Sequence, residues 1–379
     1  MTSPSREGSF TVSTVSPTNE RSTYIRSANF ERYRFHQGVG DMWPVTWAED
    51  DNLYTAGGDN RGSAMNFWRM TVVNTDDRVP TAEKGFQPWD MKFDVIDDMP
   101  LDPAVYCTHP LVHHKAGLKP AGLIDLGGRL HLAVEAHNYG MDPNFNRQTN
   151  IQGWIITTDD YGKTWDRDAT SQESFFSGRT CSCHFLQYGK GGATPDGWLY
   201  AYFPGASDDG NAYWCNGDYV LLGRVRPENV LNRAAWEFLA DVGSLSWSTD
   251  DADATPIFEY PRMTGENHVS YNAGIGRYLM GNFSFLTPDG KPRPYHQDFP
   301  ASTLRSQLTL LESPTPWGPW KVFHQDDDWG TYGDYQPSFP VNWMSADGKT
   351  MFMVSSGSYD DYNLTVQRVD LELFSEVVE

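Results

Sequence analysis

Short apolar runs of four or five residues recur along the whole chain, each closed by Gly, Asp, Asn or Pro. Leu130–Val134, Trp154–Thr157, Trp198–Tyr202, Tyr219–Leu222, Tyr278–Asn282 and Met351–Ser355 are examples. Runs of this length, rich in aromatic and β-branched residues and bounded by turn formers, read as strands. The 34 glycines and 24 prolines supply the turns between them. Long helical periodicity is absent. The best helix candidate is the short segment Pro227–Phe238, which opens on a proline. The pattern therefore predicts an all-β chain.

Five segments have the character of the innermost strand of a propeller blade. They are GDMWP at 40–44, KPAG at 119–122, CHFLQ at 183–187, NHVSYN at 267–272 and YQPSFP at 335–340. Each is followed, after a short turn, by a strongly apolar strand. Their starts lie roughly 65 to 85 residues apart, the length of a four-stranded blade with loops. Five such units use up the 379 residues. Seven blades of roughly 54 residues are the alternative count. The expected organisation is a flexible polar segment over 1–25 and a single β-propeller over 26–379. TDDYGKTW at 158–165 fits the Asp-box hairpin, in which Asp160 caps backbone N–H groups, Gly162 takes positive φ and Trp165 packs beneath.

The formal net charge of −21 repels polyanions, so neither nucleic acid nor a membrane surface is an expected partner. No apolar run reaches membrane-spanning length, and the polar N-terminus lacks the apolar stretch of a secretory signal. The expected location is the cytoplasm, or outside it for a protein whose leader has been removed. A monomer is the default expectation. Cys181 and Cys183 are too close along a strand to pair with each other, and either could bridge to Cys107 or Cys215. The cysteine and histidine spacing fits no standard zinc pattern.

The stretch GDMWPVTWAEDDNLYTAGGDN at 40–60 resembles the opening blade of a group of propellers catalogued as a domain of unknown function. That group includes glycoside hydrolases of the endo-D-arabinofuranase type. LESPTPWGPWKVF at 311–323 and the run from Tyr335 to Gly357 resemble the closing blades of the wider arabinanase-like superfamily, which is five-bladed. The resemblance implies an acid/base pair on an early Asp and on a second Asp in a Gly-Asp turn. The matching positions are Asp41 and Asp59. A second propeller group, the L-rhamnose–D-glucuronate and ulvan lyases, works with His, Tyr and Arg near the channel.

Glycoside hydrolysis needs one carboxylic acid to protonate the leaving oxygen and a second carboxylate as base or nucleophile. Asp41 and Asp59 are the candidate pair. Glu266, just before the fourth inner strand, is a third candidate carboxylate. β-Elimination next to a uronate needs a base, a cation for the carboxylate and an acid for the leaving group. His109, His184, Lys119 and Arg224 supply those types. Lys119, His184, His268 and Gln336 each lie at or near the opening of an inner strand and are expected to shape the sugar site. Trp43 is the best-placed aromatic platform, two residues from Asp41 and so expected on the same strand face. The expected partner is an oligo- or polysaccharide. No cofactor is required, and a structural Ca2+ in the central channel is compatible with the class, although no ligand set in the sequence demands it. The functional expectation is a glycoside hydrolase, with a uronate lyase and a non-catalytic sugar-binding propeller as alternatives.

Overall fold

The computed structural model describes residues 20–31, 35–37, 40–59, 65–72, 91–97, 99, 117–137, 149–171, 175–207, 212–294, 303–329, 334–357 and 363–374. Among these there are strands and single turns of 3-10 helix but no α-helix. No helix is long and apolar enough to cross a membrane.

The chain is an all-β propeller, and its strand order falls into five successive antiparallel meanders. The first runs through Val45–Trp47, Leu53–Gly58, Met65–Val72 and Met91–Asp97. The second runs through Gly117–Leu126, Arg129–His137 and Thr149–Thr158. The third runs through His184–Phe185, Leu199–Gly205, Gly217–Val225 and Glu237–Asp241, and is joined to the second through Ala212–Tyr213. The fourth comprises His268–Asn272, Arg277–Leu286, Arg305–Ser313 and Lys321–Asp326. The fifth comprises Tyr335–Ser338, Thr350–Gly357 and Asn363–Leu373, and its outer strand is Ile25–Phe30 from the opposite end of the chain. Each expected innermost segment leads or opens its meander. Inner strands of neighbouring meanders lie side by side: Gln187 N–H donates to Val269 O at 2.9 Å, and Tyr271 N–H to Gln187 O at 2.8 Å.

Stacked sheets bury both faces of a middle strand, which removes the polar/apolar alternation of a half-exposed strand. Leu199–Gly205 is buried at every position for this reason. Residues 20–24, inside the stretch expected to be flexible, are tied down. Val322 N–H donates to Glu20 O at 2.8 Å and Ser22 N–H to Val322 O at 2.9 Å. The helix expected at Pro227–Phe238 does not form. Two 3-10 turns, Pro227–Asn229 and Arg233–Ala235, stand there instead, and Asn232 caps the second through Ala234 N–H before the chain enters a strand. Asn at this point competes for the backbone and stops propagation. Cys181, Cys183 and Cys215 are buried thiols, so no bridge joins Cys215 to either of the others. Cys107 lies outside the described residues.

Candidate functional site

Asp41 enters the channel on a backbone clamped to the next strand. Its N–H donates to Gly58 O at 2.9 Å, and Gly58 N–H returns a bond to Asp41 O at 2.7 Å. A Cβ on Gly58 would stand 2.7 Å from both Asp41 Oδ1 and Lys119 Cδ, so only glycine lets these groups meet. Asp59 follows at once, with φ of 47°.

Lys119, on the inner strand of the second meander, joins the two carboxylates. Its Nζ lies 2.9 and 2.8 Å from the Asp41 oxygens and 2.7 Å from Asp59 Oδ2. Lys119 is only 1% exposed, whereas the Asp59 side chain is 33% exposed. Tyr335 OH, from the fifth meander, donates to Asp41 Oδ2 at 2.9 Å. Burial raises the Asp41 pKa above its ordinary 3.8; Lys119 pulls it back, and the charge of Asp59 pushes it up.

A second buried cluster adjoins this pair, since Lys119 and Glu135 are cross-strand partners. Glu135 Oε1 is 2.6 Å from His137 Nε2, and Asn150 Nδ2 donates to Glu135 Oε2 at 3.0 Å. Glu266 arrives from the fourth meander and receives bonds from Ser182 and Gln336. Burial works to raise Glu135, but His137, the hydrogen bond from Glu266 and the neighbouring His184 together bring the carboxyl down to about 2. Glu266 is held well above the carboxylate range by burial and by the charge of Glu135. Burial holds His184 down to about 4 and His268 well below its ordinary value, so both imidazoles are neutral at pH 7. Glu135, His137 and Glu266 place one donor atom each within 4.8 Å of one another, and these are the residues that could hold an ion.

The structure thus brings together Asp41, Asp59 and Lys119, and beside them His184, His268, Glu266 and Gln336. Arg224 is elsewhere. It pairs with Glu237 at 2.7 Å and is stacked between the rings of Trp198 and Trp247, at 4.1 and 3.9 Å from their centroids. His109 lies outside the described residues. Trp43 is not a platform, because it is 0% exposed and packs edge-on against Trp68. An extended strand would place the indole on the face of Asp41, but Met42 and Trp43 have φ of 79° and 37°. That twist turns the indole into the core beneath Asp41. Glu135, Asn150 and Tyr335 were not among the expected site residues. Glu135 carried a signal: Glu and His two apart in the apolar run LHLAVEAH share one strand face and are buried together.

A propeller that holds a carboxylate pair on a buried lysine is the class this fold and site define. The chain belongs to the family described as "Domain of unknown function (DUF4185)", which matches residues 34–368. No curated protein matches it in sequence. Among solved structures, a "putative hydrolase" from Bacteroides ovatus superposes with a TM-score of 0.50 at 13% identity, covering 89% of this chain and 87% of that one. A GH43_1 enzyme from Xanthomonas citri gives a TM-score of 0.45 at 12% identity over 90% and 88% of the two chains. An exo-1,5-alpha-L-arabinanase from a bovine ruminal metagenomic library gives 0.45 at 10% identity over 90% and 95%. At these identities the first of them speaks to the fold alone.

Proposed function

We propose that the protein is a glycoside hydrolase acting on a neutral oligo- or polysaccharide, with Asp41 and Asp59 as its carboxylate pair. The observation that carries this reading is the single Lys119 ammonium bound to both carboxylates. Two contacts of this length put the bridged oxygens no more than about 5.5 Å apart, the spacing of retaining enzymes. Asp41, with Lys119 and Tyr335 donating to it, is the nucleophile. Asp59, whose side chain is 33% exposed, is the acid/base. In the first step the Asp41 carboxylate bonds to the anomeric carbon while Asp59 protonates the departing oxygen. In the second, water attacks that carbon, Asp59 takes its proton, and Asp41 leaves as carboxylate. The product keeps its anomeric configuration.

The lyase alternative draws less support. The cation it needs for a uronate would be Lys119, already engaged by two carboxylates, and Arg224 is remote. The sequence resemblance makes D-arabinofuranosyl polymers the first substrate class to try. The test is mass spectrometry of products from neutral and uronate glycans in 18O-labelled water. Hydrolysis gives one labelled oxygen per cleaved bond, and Asp41→Asn lowers turnover by about 10³-fold or more while binding persists. Unsaturated, unlabelled products, or full turnover by Asp41→Asn, would sink the assignment.

A further inference from the structure

Glu135 and Glu266 are both 0% exposed, come from different meanders and lie against each other. Among the described residues their hydrogen-bond partners are each other, His137, Asn150, Ser182 and Gln336, of which only His137 can carry a positive charge. Two carboxyls in such a place need a shared proton, a protonated His137 or a bound cation. Two further buried atoms favour the cation. Asn150 Oδ1 and Gln336 Oε1 have no hydrogen-bond partner, although both side chains reach the pair. Rotating either amide by half a turn brings its oxygen where its nitrogen stands, since the two ends of an amide are assigned by context. Gln336 is also held at φ of 53°, a costly conformation for a non-glycine residue that delivers its amide to this spot.

We propose that Glu135, His137 and Glu266 bind one divalent first-row transition ion, with Asn150 and Gln336 as additional oxygen donors. Two carboxylates balance the charge of such an ion. The donor set also selects among metals. Calcium, the ion compatible with the class, takes six to eight oxygens. An imidazole nitrogen between two carboxylates suits manganese, cobalt or zinc instead. The ion would join residues of three of the five meanders, the second, fourth and fifth.

The test is made on the full chain without substrate, so its outcome is independent of whether the protein hydrolyses glycans. Protein expressed in medium containing Mn2+, Zn2+ and Ca2+ is assayed for metal content. It is then stripped with chelator and melted after addition of each ion. Retention of one transition ion per chain is expected, with loss of several degrees in Tm on stripping. Mn2+, Zn2+ or Co2+ should restore the Tm and Ca2+ should not. Co2+ should add a visible absorption band. Glu266→Gln, which keeps the size and shape of the side chain, should weaken metal affinity by about 100-fold or more, whereas Asp41→Asn should keep the ion. A stripped protein that melts unchanged and takes up no transition ion would show that the pair holds only a proton. Recovery by Ca2+ alone would overturn the choice of metal.

Discussion

At the scale of single residues, Lys119 does most to define the site. It holds two acids together that would otherwise repel, and its charge opposes the effect of burial on Asp41. Lys119→Met should therefore do two things. It should cut kcat/KM by about 10²-fold or more, and it should move the acidic limb of the pH profile upward, because the lysine lowers the Asp41 pKa. A pH–rate profile of the variant decides this; an unchanged limb would mean Lys119 serves only packing. The buried histidines make a second prediction. His131, His184 and His324 are each held down to about 4 by burial. Between pH 6.5 and 4 the unfolded chain takes up these protons and the native state does not. Stability is thus fully present above pH 6.5 and falls with acidification, by about 1.4 kcal/mol per pH unit for each histidine. Urea unfolding across that range measures the slope, and His131→Asn should make it shallower.

At the scale of elements, turns fix where the strands deliver their side chains. In the hairpin at 158–165, Asp160 accepts from Thr164 N–H at 2.9 Å, and Trp165 Nε1 donates to Gly162 O at 3.2 Å. Trp165 then packs edge-on against Phe67, 5.0 Å away in the first meander, so the turn ties two meanders together. Gly162 has φ of 91°, and a Cβ there would come 2.3 Å from Phe67 Cδ1. Gly162→Ala should cost about 1–3 kcal/mol of stability and spare the carboxylate pair; urea midpoints beside kcat values check it. Gly58→Ala should do the reverse of sparing, because its Cβ meets Asp41 and Lys119 directly. The inner strands were legible in advance, since each couples a polar opening to an apolar run. The backbone twist at Met42 and Trp43 was not. No local rule places positive φ at two bulky residues; only their surroundings impose it. Met42, Trp43, Asp59 and Gln336 make up four of the nine such non-glycine residues among those described, so part of this strain lies beside the two buried clusters.

At the scale of the whole molecule, the ring closes through its two chain ends. Ile25–Phe30 pairs with Asn363–Leu373, and Ser22 Oγ donates to Glu312 Oε1 at 2.8 Å in the neighbouring meander. Ile25 is 1% exposed, so its burial and the lost pairing are worth on the order of 4 kcal/mol together. Removal of residues 1–30 should lower the Tm by several degrees and loosen hydrogen exchange first in Asn363–Leu373; a protein melting as before would show that closure does not depend on this strand.

The sequence by itself determined the all-β class, the five inner segments and the hairpin at 158–165. Each depends on residues close together in the chain: alternation, turn chemistry and a short motif. Only the tertiary structure decided which charges meet. Lys119 reaches Asp41 across 78 positions and Tyr335 reaches it across 294, while Glu266 finds Glu135 from another meander and Arg224 is left on its own aromatic stack. Burial of a charge is set by what packs around it from distant segments, and that information exists only once the ring has closed.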